Sequence, residues 1–151
     1  MSQHLFEMGD ADAPGGNIVA DFTHWADTNR PEGGCRGLLF DCPWNFDNYS
    51  VKGEAKNAKA QYPCVSMGLL KRLPVSRIAA RNAAVFSWAT SPLLDQQIEC
   101  LKEWGCRYIG CETWAKGSRN STGEPGDESW KASFGPGYVR RGCAEFLLIG
   151  A

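Results

Sequence analysis

The chain has 151 residues, of which 43% are apolar and 22% are charged, and its formal net charge is −1. This length allows one domain with a core of its own, and the composition is ordinary for a globular protein. No stretch approaches the ~20 apolar residues of a membrane-spanning helix, and residues 1–20 carry no secretory signal. We therefore expect a cytoplasmic protein without a membrane partner.

The chain contains seven cysteines, an odd number that cannot all pair within one chain. None of them forms a C-x-x-C motif, and the two histidines, His4 and His24, both lie near the N-terminus. The ligand spacing of a zinc site is therefore lacking, and no metal site is predicted. We interpret most of the cysteines as small buried side chains of a reduced protein.

The charge is unevenly distributed along the chain. Residues 1–27 carry five acids and no Lys or Arg, whereas residues 52–81 carry seven bases and one acid. Such a basic run is equally consistent with a solvated surface and with a surface that binds a phosphate backbone. The candidate nucleic-acid-binding residues are the lysines nearest the start of the run: Lys52, Lys56 and Lys59.

The predicted elements begin after an irregular lead-in over residues 1–34, which is rich in Gly, Asp, Pro and Asn. Residues 35–151 form the predicted domain. Ser66 is the expected N-cap of a short helix that ends before Pro74. Ser91 and Pro92 start a longer helix, which Gly105 ends. Apolar strands are expected over four ranges: 36–40, 83–88, 108–114 and 144–149.

These strands lack a clean alternation of polar and apolar residues, which is typical of a parallel sheet in an α/β protein. In such sheets, ligands bind beyond the carboxyl ends of the strands. Three segments occupy that position in the sequence: residues 41–44, 88–92 and 114–116. We expect their side chains to meet at one edge of the sheet.

The tetrapeptide Asp41-Cys42-Pro43-Trp44 at the end of the first strand is suited to binding a flat ring that carries an amino group. The Asp41 carboxylate can accept a hydrogen bond from the amine, and the carbonyls of Cys42 and Pro43 can accept another. Trp44 offers a face on which a base can stack. A strand that ends in an ordinary turn, where Asp and Pro are common, would have the same residue types.

The segments between Gly37 and Gly150 together resemble the DPPW-signature adenine N6-methyltransferases of the MT-A70 family, especially its bacterial and phage members. Residues 41–44 resemble the signature itself, and Phe86 to Thr90 resemble the apolar strand that ends in Trp-x-Thr. Further landmarks in the same order support the likeness: residues 52–53, 61–63, 66–75, 104–105, 114–116, 137–138, Glu145 and 147–148.

The resemblance implies a Rossmann-like α/β fold and transfer of a methyl group from S-adenosylmethionine to the N6 amine of adenine. The implied substrate is nucleic acid, with DNA favoured over RNA. By the same resemblance, the catalytic residues are Asp41, Cys42, Pro43 and Trp44, and the cofactor lies near Asp41 and Lys116.

The sequence departs from the family pattern at two places. Cys42 stands where the family usually has its first proline, which implies a less rigid loop with its carbonyl retained. The family's E-L-F-[AG]-R-like cofactor segment follows the strand that matches Glu145 to Ile149, and this sequence stops before it. We therefore expect an incomplete sheet. Either the reading frame is truncated, or a partner chain completes the site. The alternatives are a non-catalytic member that binds nucleic acid or docks on a partner, and an inactive fragment.

Overall fold

A computed structural model describes residues 17–45, 62–134 and 142–151 of the chain. Its helices are α1 (Ile18–Asn29), α2 (Met67–Lys71) and α3 (Leu94–Glu103), and its strands are β1 (Cys35–Phe40), β2 (Ala79–Ala89), β3 (Tyr108–Ala115) and β4 (Ala144–Gly150). Single 3-10 turns, Val75–Arg77 and Ser91–Leu93, precede β2 and α3.

The strands form one sheet in the order β1-β2-β4-β3. β1 and β2 are parallel, while β4 runs antiparallel to both β2 and β3. The expectation of a wholly parallel sheet is therefore wrong for β4, although β1, β2 and β3 all run in one direction. The mixed α/β architecture is compatible with part of the Rossmann-like fold that the resemblance implies.

The direction of β4 follows from how the chain enters it. β3 ends at the carboxyl edge of the sheet, and the backbone N–H of Lys116 there donates to the Cys143 carbonyl at 2.6 Å. The chain thus enters β4 from the edge at which β3 ends, so the two strands pair antiparallel without a crossover. The apolar run from Phe146 to Ile149 indicates burial but carries no information about direction.

One face of the sheet is covered by the helices. Alternate residues of β2 are buried on that face, from Ala83 through Val85 and Ser87 to Ala89. On the opposite face, Leu39 and Trp114 are 67% and 62% exposed. The main core therefore lies between the helices and one side of the sheet.

Helix α1 corrects the expectation that residues 1–34 are irregular, at least for the part that the structure describes. Ile18, Phe22 and Ala26 are buried in the main core, and the Phe22 ring lies 6.4 Å from that of Phe40 in β1. Their spacing of four residues places them on one helix face. The residues between them mix polar and apolar types and follow a stretch rich in Gly, Asp and Pro, so the pattern does not stand out in the sequence.

The Ser66 cap and the Gly105 stop are confirmed, whereas Ser91 lies inside the 3-10 turn before α3, and no side chain caps that turn or α3. The Ser66 hydroxyl accepts a hydrogen bond from the Leu69 N–H at the start of α2. Gly105 follows α3 with a φ of +89°, the left-handed conformation that favours glycine at a helix end. The Trp104 indole N–H then donates to the Leu70 carbonyl at 2.8 Å and joins α3 to α2.

Candidate active site

A cavity of about 180 Å³ lies at the carboxyl edge of β1 and β2. It is built from the ends of these strands, the start of β4 and the loop before α2. Because β4 runs antiparallel, its first residues lie at the same edge as the last residues of its neighbours. The lining residues are Asp41, Cys42, Trp44, Tyr62, Trp88, Ala89, Thr90 and Glu145.

The cavity contains two carboxylates from different strands. Asp41 follows β1 directly, and Glu145 is the second residue of β4. Burial raises the pKa of the Asp41 carboxyl above its ordinary value, and the negative charge of Glu145 raises it further. The site therefore favours a ligand group that donates hydrogen bonds or carries positive charge.

Lys116 reaches the cavity through Glu145. The Lys116 ammonium forms an ion pair with the Glu145 carboxylate, although Lys116 is not itself a lining residue. Both side chains are about two-fifths exposed, at 43% and 40%. The register of β3 and β4, which pairs Trp114 with Glu145 and Ala115 with Ala144, places the two charges side by side.

The loop carbonyls expected to bind an amine already accept one hydrogen bond each. The Cys42 carbonyl accepts from the Trp44 N–H at 2.8 Å, and the Pro43 carbonyl accepts from the Val65 N–H at 2.9 Å. A carbonyl oxygen has two lone pairs, so each oxygen retains a second acceptor position. Cys42 lines the cavity and Pro43 does not.

The Cys42 side chain has a structural role. It is 8% exposed and belongs to the main core. Burial raises the pKa of the thiol far above its ordinary value, and the neighbouring Cys100 and Asp41 raise it further. Since the thiolate is the nucleophilic form, this environment disfavours a covalent role for Cys42.

Trp44 forms a wall of the cavity and not the open stacking face that the sequence suggested. Its side chain is 5% exposed and belongs to the main core. The indole N–H donates to the Trp88 carbonyl at 3.0 Å, which joins the loop after β1 to the end of β2. The backbone of Trp44 also pairs with Val65 in an isolated parallel bridge.

Tyr62 is the lining aromatic residue that sequence reasoning did not assign to the site. It is 50% exposed, so it offers far more ring surface to a ligand than Trp44 does. Burial raises the pKa of its hydroxyl, followed by the charges of Cys64, Asp41 and Glu145. An aromatic residue four positions before the helix-capping Ser66 was the available signal.

The predicted nucleic-acid-binding lysines, Lys52, Lys56 and Lys59, lie outside the described residues. Two bases of the described part of the basic run form exposed ion pairs. Lys71 contacts Glu99 at 2.7 Å, and Arg77 contacts Asp27 at 2.8 Å. These pairs reduce the positive charge that the later part of the run can offer to phosphates.

Comparison with protein families matched the MT-A70 family model to residues 37–150, from β1 to the end of β4. The chain belongs to the MT-A70 family. The match includes every residue that lines the cavity and leaves α1 outside it. A comparison with curated protein sequences gave no match.

Membership of the MT-A70 family identifies a methyltransferase domain, and members of this family use S-adenosylmethionine and act on nucleic acids. The cavity lies at the carboxyl edge of the parallel strands β1 and β2, the edge at which open α/β sheets bind ligands. No helix over residues 17–45, 62–134 and 142–151 has the length and apolar character to cross a bilayer.

Proposed function

We propose that this MT-A70 protein transfers a methyl group from S-adenosylmethionine to the exocyclic N6 amine of adenine in nucleic acid, with DNA favoured over RNA. The observation that carries the proposal is Asp41, which the end of β1 delivers into a cavity that also contains Glu145. The proposed catalytic residues are Asp41, Cys42, Pro43 and Trp44.

Asp41 addresses the main chemical difficulty of the reaction. The amine is a weak nucleophile because its lone pair is delocalised into the ring. A carboxylate that accepts an amine hydrogen favours pyramidal nitrogen and frees the lone pair for attack. The free acceptor position of the Cys42 carbonyl provides a second partner of the same kind. Such preoriented acceptors also stabilise the positive charge that grows on the amine during transfer.

The aromatic residues of the cavity would hold the ring. Tyr62 offers an exposed face, and stacking of a base on such a face contributes about 1–3 kcal/mol. Trp44 would act as a fixed wall, since its indole N–H is bonded to the Trp88 carbonyl. An adenine in a duplex must first leave the stack, which costs a few kcal/mol, and stacking on Tyr62 offsets part of this.

The charges of the site fit the cofactor, which supplies a methyl group on a positively charged sulfonium when bound. Asp41 and Glu145 provide negative charge, and Lys116 provides a partner for a carboxylate. The cavity volume of about 180 Å³ is below the roughly 300–1,000 Å³ of pockets that enclose drug-sized ligands. It is suited to a single base beside the cofactor. We propose that Asp41 and Lys116 are the residues nearest the cofactor.

The primary test is methylation of adenine-containing DNA and RNA oligonucleotides with isotope-labelled cofactor, using the wild type and Asp41→Ala. We expect Asp41→Ala to lower the rate by at least about 100-fold, the lower range for a positioned proton acceptor, with an unchanged circular-dichroism spectrum. Glu32→Ala, which removes an exposed acid between α1 and β1, is the matched control and should retain wild-type activity.

Calorimetric titration with S-adenosylmethionine separates the remaining possibilities. Binding in the millimolar range or tighter supports an enzyme, whereas nucleic-acid binding without any cofactor binding would identify a non-catalytic member of the family. Equal activity of the wild type and Asp41→Ala would contradict the proposed role of the carboxylate. The cytoplasmic location and the partner chain stay predictions from the sequence.

A further inference from the structure

Helix α3 contributes a buried amide behind the cavity wall. Gln97 is polar but only 1% exposed, and its buried neighbours on the same helix face are apolar. Its Oε1 accepts a hydrogen bond from the backbone N–H of Thr90 at 2.9 Å. Thr90 follows β2 directly and lines the cavity. Gln97 thus fixes the backbone of a residue that faces the candidate ligand.

Two polar atoms at this point lack a partner among the described residues. They are the Thr90 hydroxyl oxygen and the Gln97 Nε2, both shielded from solvent. A buried polar group left without a hydrogen bond costs about 1–3 kcal/mol. An unsatisfied pair that borders a cavity is a candidate for ligand recognition.

The polarity of this pair complements that of the carboxylates. Asp41 and Glu145 present acceptors to the cavity, whereas an amide NH₂ group can only donate. The Thr90 hydroxyl can also donate, and no described residue engages it. Adenine needs this combination, because its amine donor stands beside a ring nitrogen that accepts.

We propose that the Thr90 hydroxyl recognises the ring nitrogen beside the adenine amine, and that Gln97 is the positioning residue that orients it. This inference rests on the proposed function. It assigns specificity to a donor that follows β2, in the same cavity as the acceptor that follows β1. Guanine presents a carbonyl and an N–H where adenine presents its amine and ring nitrogen. The guanine carbonyl would face the Asp41 acceptor, and the guanine N–H would face the Thr90 donor, so neither hydrogen bond would form.

The backbone of Thr90 allows the required rotation. Its φ of −108° and ψ of 140° are extended, a conformation in which more than one staggered χ1 well is populated. Rotation about χ1 exchanges the positions of the hydroxyl and the methyl group and turns the hydroxyl into the cavity. The Gln97 bond to the Thr90 N–H is unaffected by this rotation.

The test compares affinities for adenosine, 1-deazaadenosine and 7-deazaadenosine, measured by ligand-observed NMR on the wild type and Thr90→Val. Valine keeps the side-chain shape and removes the hydroxyl. We expect Thr90→Val to weaken adenosine binding by about 5- to 30-fold. The analogue that lacks the contacted nitrogen should bind both proteins equally. Thr90→Ser should restore adenosine binding, and Gln97→Met should weaken it in the same selective way.

Equal losses for all three ligands would show a structural role for Thr90 and overturn the inference, as would no loss for any of them. Thermal melts of Thr90→Val and Thr90→Ser check that both variants fold. Failure of the folded wild type to bind adenosine at all would instead contradict the proposed function, and the inference with it. Binding of adenosine without the predicted selectivity would contradict the role of Thr90 and leave the proposed function standing.

Discussion

Asp41 and Glu145 bring two like charges into one cavity, and this pairing sets the electrostatics of the site. The raised pKa of Asp41 arises first from burial and then from Glu145. The fold therefore favours the neutral form of Asp41 more than the unfolded chain does. Its contribution to stability is present at low pH and is lost as the pH rises through the folded-state pKa. The ionised form, which is the better acceptor, predominates only above that pKa.

Glu145→Gln should move the acid limb of the pH profile of kcat/KM to lower pH. The substitution removes the second cause of the raised pKa and leaves burial in place, so the limb should stay above the ordinary range of an aspartate. The profile of methylation against pH measures this shift. Glu112→Gln, on the exposed face of β3, is the control and should leave the limb unchanged. A limb that moves upward in Glu145→Gln would rule out the proposed coupling.

Trp44→Phe and Tyr62→Ala should distinguish a residue that forms the cavity wall from a residue on which the base stacks. Trp44→Phe removes the indole N–H that bonds the Trp88 carbonyl and should lower the free energy of unfolding by about 1–3 kcal/mol. Tyr62→Ala should leave stability nearly unchanged, because Tyr62 is half exposed, and should weaken adenosine binding by about 5-fold or more. Urea unfolding and NMR titration measure the two effects. The opposite assignment of losses would make Trp44 the stacking residue.

At the scale of the elements, close approaches of the backbone fix how strands and helices join. Gly33 and Gly34 form the connection from α1 to β1, with φ values of +77° and +82°. A Cβ at Gly34 would lie 2.7 Å from the Ala79 carbonyl oxygen, whereas a Cβ at Gly33 would meet no atom within 4 Å. Gly34 thus lets β1 begin directly beside β2.

Gly34→Ala should destabilise the protein more than Gly33→Ala does. Both substitutions place a side chain in the left-handed region, which costs about 1–2 kcal/mol. Only Gly34→Ala also forces the start of β1 away from β2, which should lower the free energy of unfolding by a further ~1–3 kcal/mol. Urea unfolding of the two variants measures the difference. Equal losses of unfolding free energy in the two variants would show that the connection from α1 to β1 adjusts without displacing β1.

Across the whole molecule, the basic run bears on how nucleic acid would approach the cavity. In the described part, two bases of the run are already paired with acids of α1 and α3. The case for phosphate binding therefore depends on Lys52, Lys56 and Lys59 at the start of the run, which remain predictions from the sequence.

Replacing Lys56 and Lys59 together by Gln should weaken nucleic-acid binding and flatten its salt dependence. Each lost phosphate contact should reduce the slope of log K against log salt by about 0.7–0.9. Fluorescence anisotropy with a labelled oligonucleotide over a series of salt concentrations measures the slope. Arg77→Gln is the comparison, since Arg77 is engaged with Asp27 and should change the slope less. An unchanged slope in the lysine variant would show that these lysines lie on a solvated surface and do not contact phosphates.

The sequence by itself determined the family, the strand ends and the main helix signals. Short-range chemistry fixes these features: an apolar run makes a strand, Ser66 caps α2, and a glycine ends α3. The position of Asp41 at the end of β1 followed from the same local pattern, and so did the expectation that strand ends would meet at one edge.

Only the tertiary structure decided which side chains face the ligand. It turned Trp44 into the core, placed Tyr62 and Glu145 in the cavity, and brought Gln97 behind Thr90. It also set the direction of β4 and added α1 to the core. Each of these depends on contacts between residues far apart in the chain. Composition and spacing indicate that a residue is buried, but they do not indicate which residues it packs against.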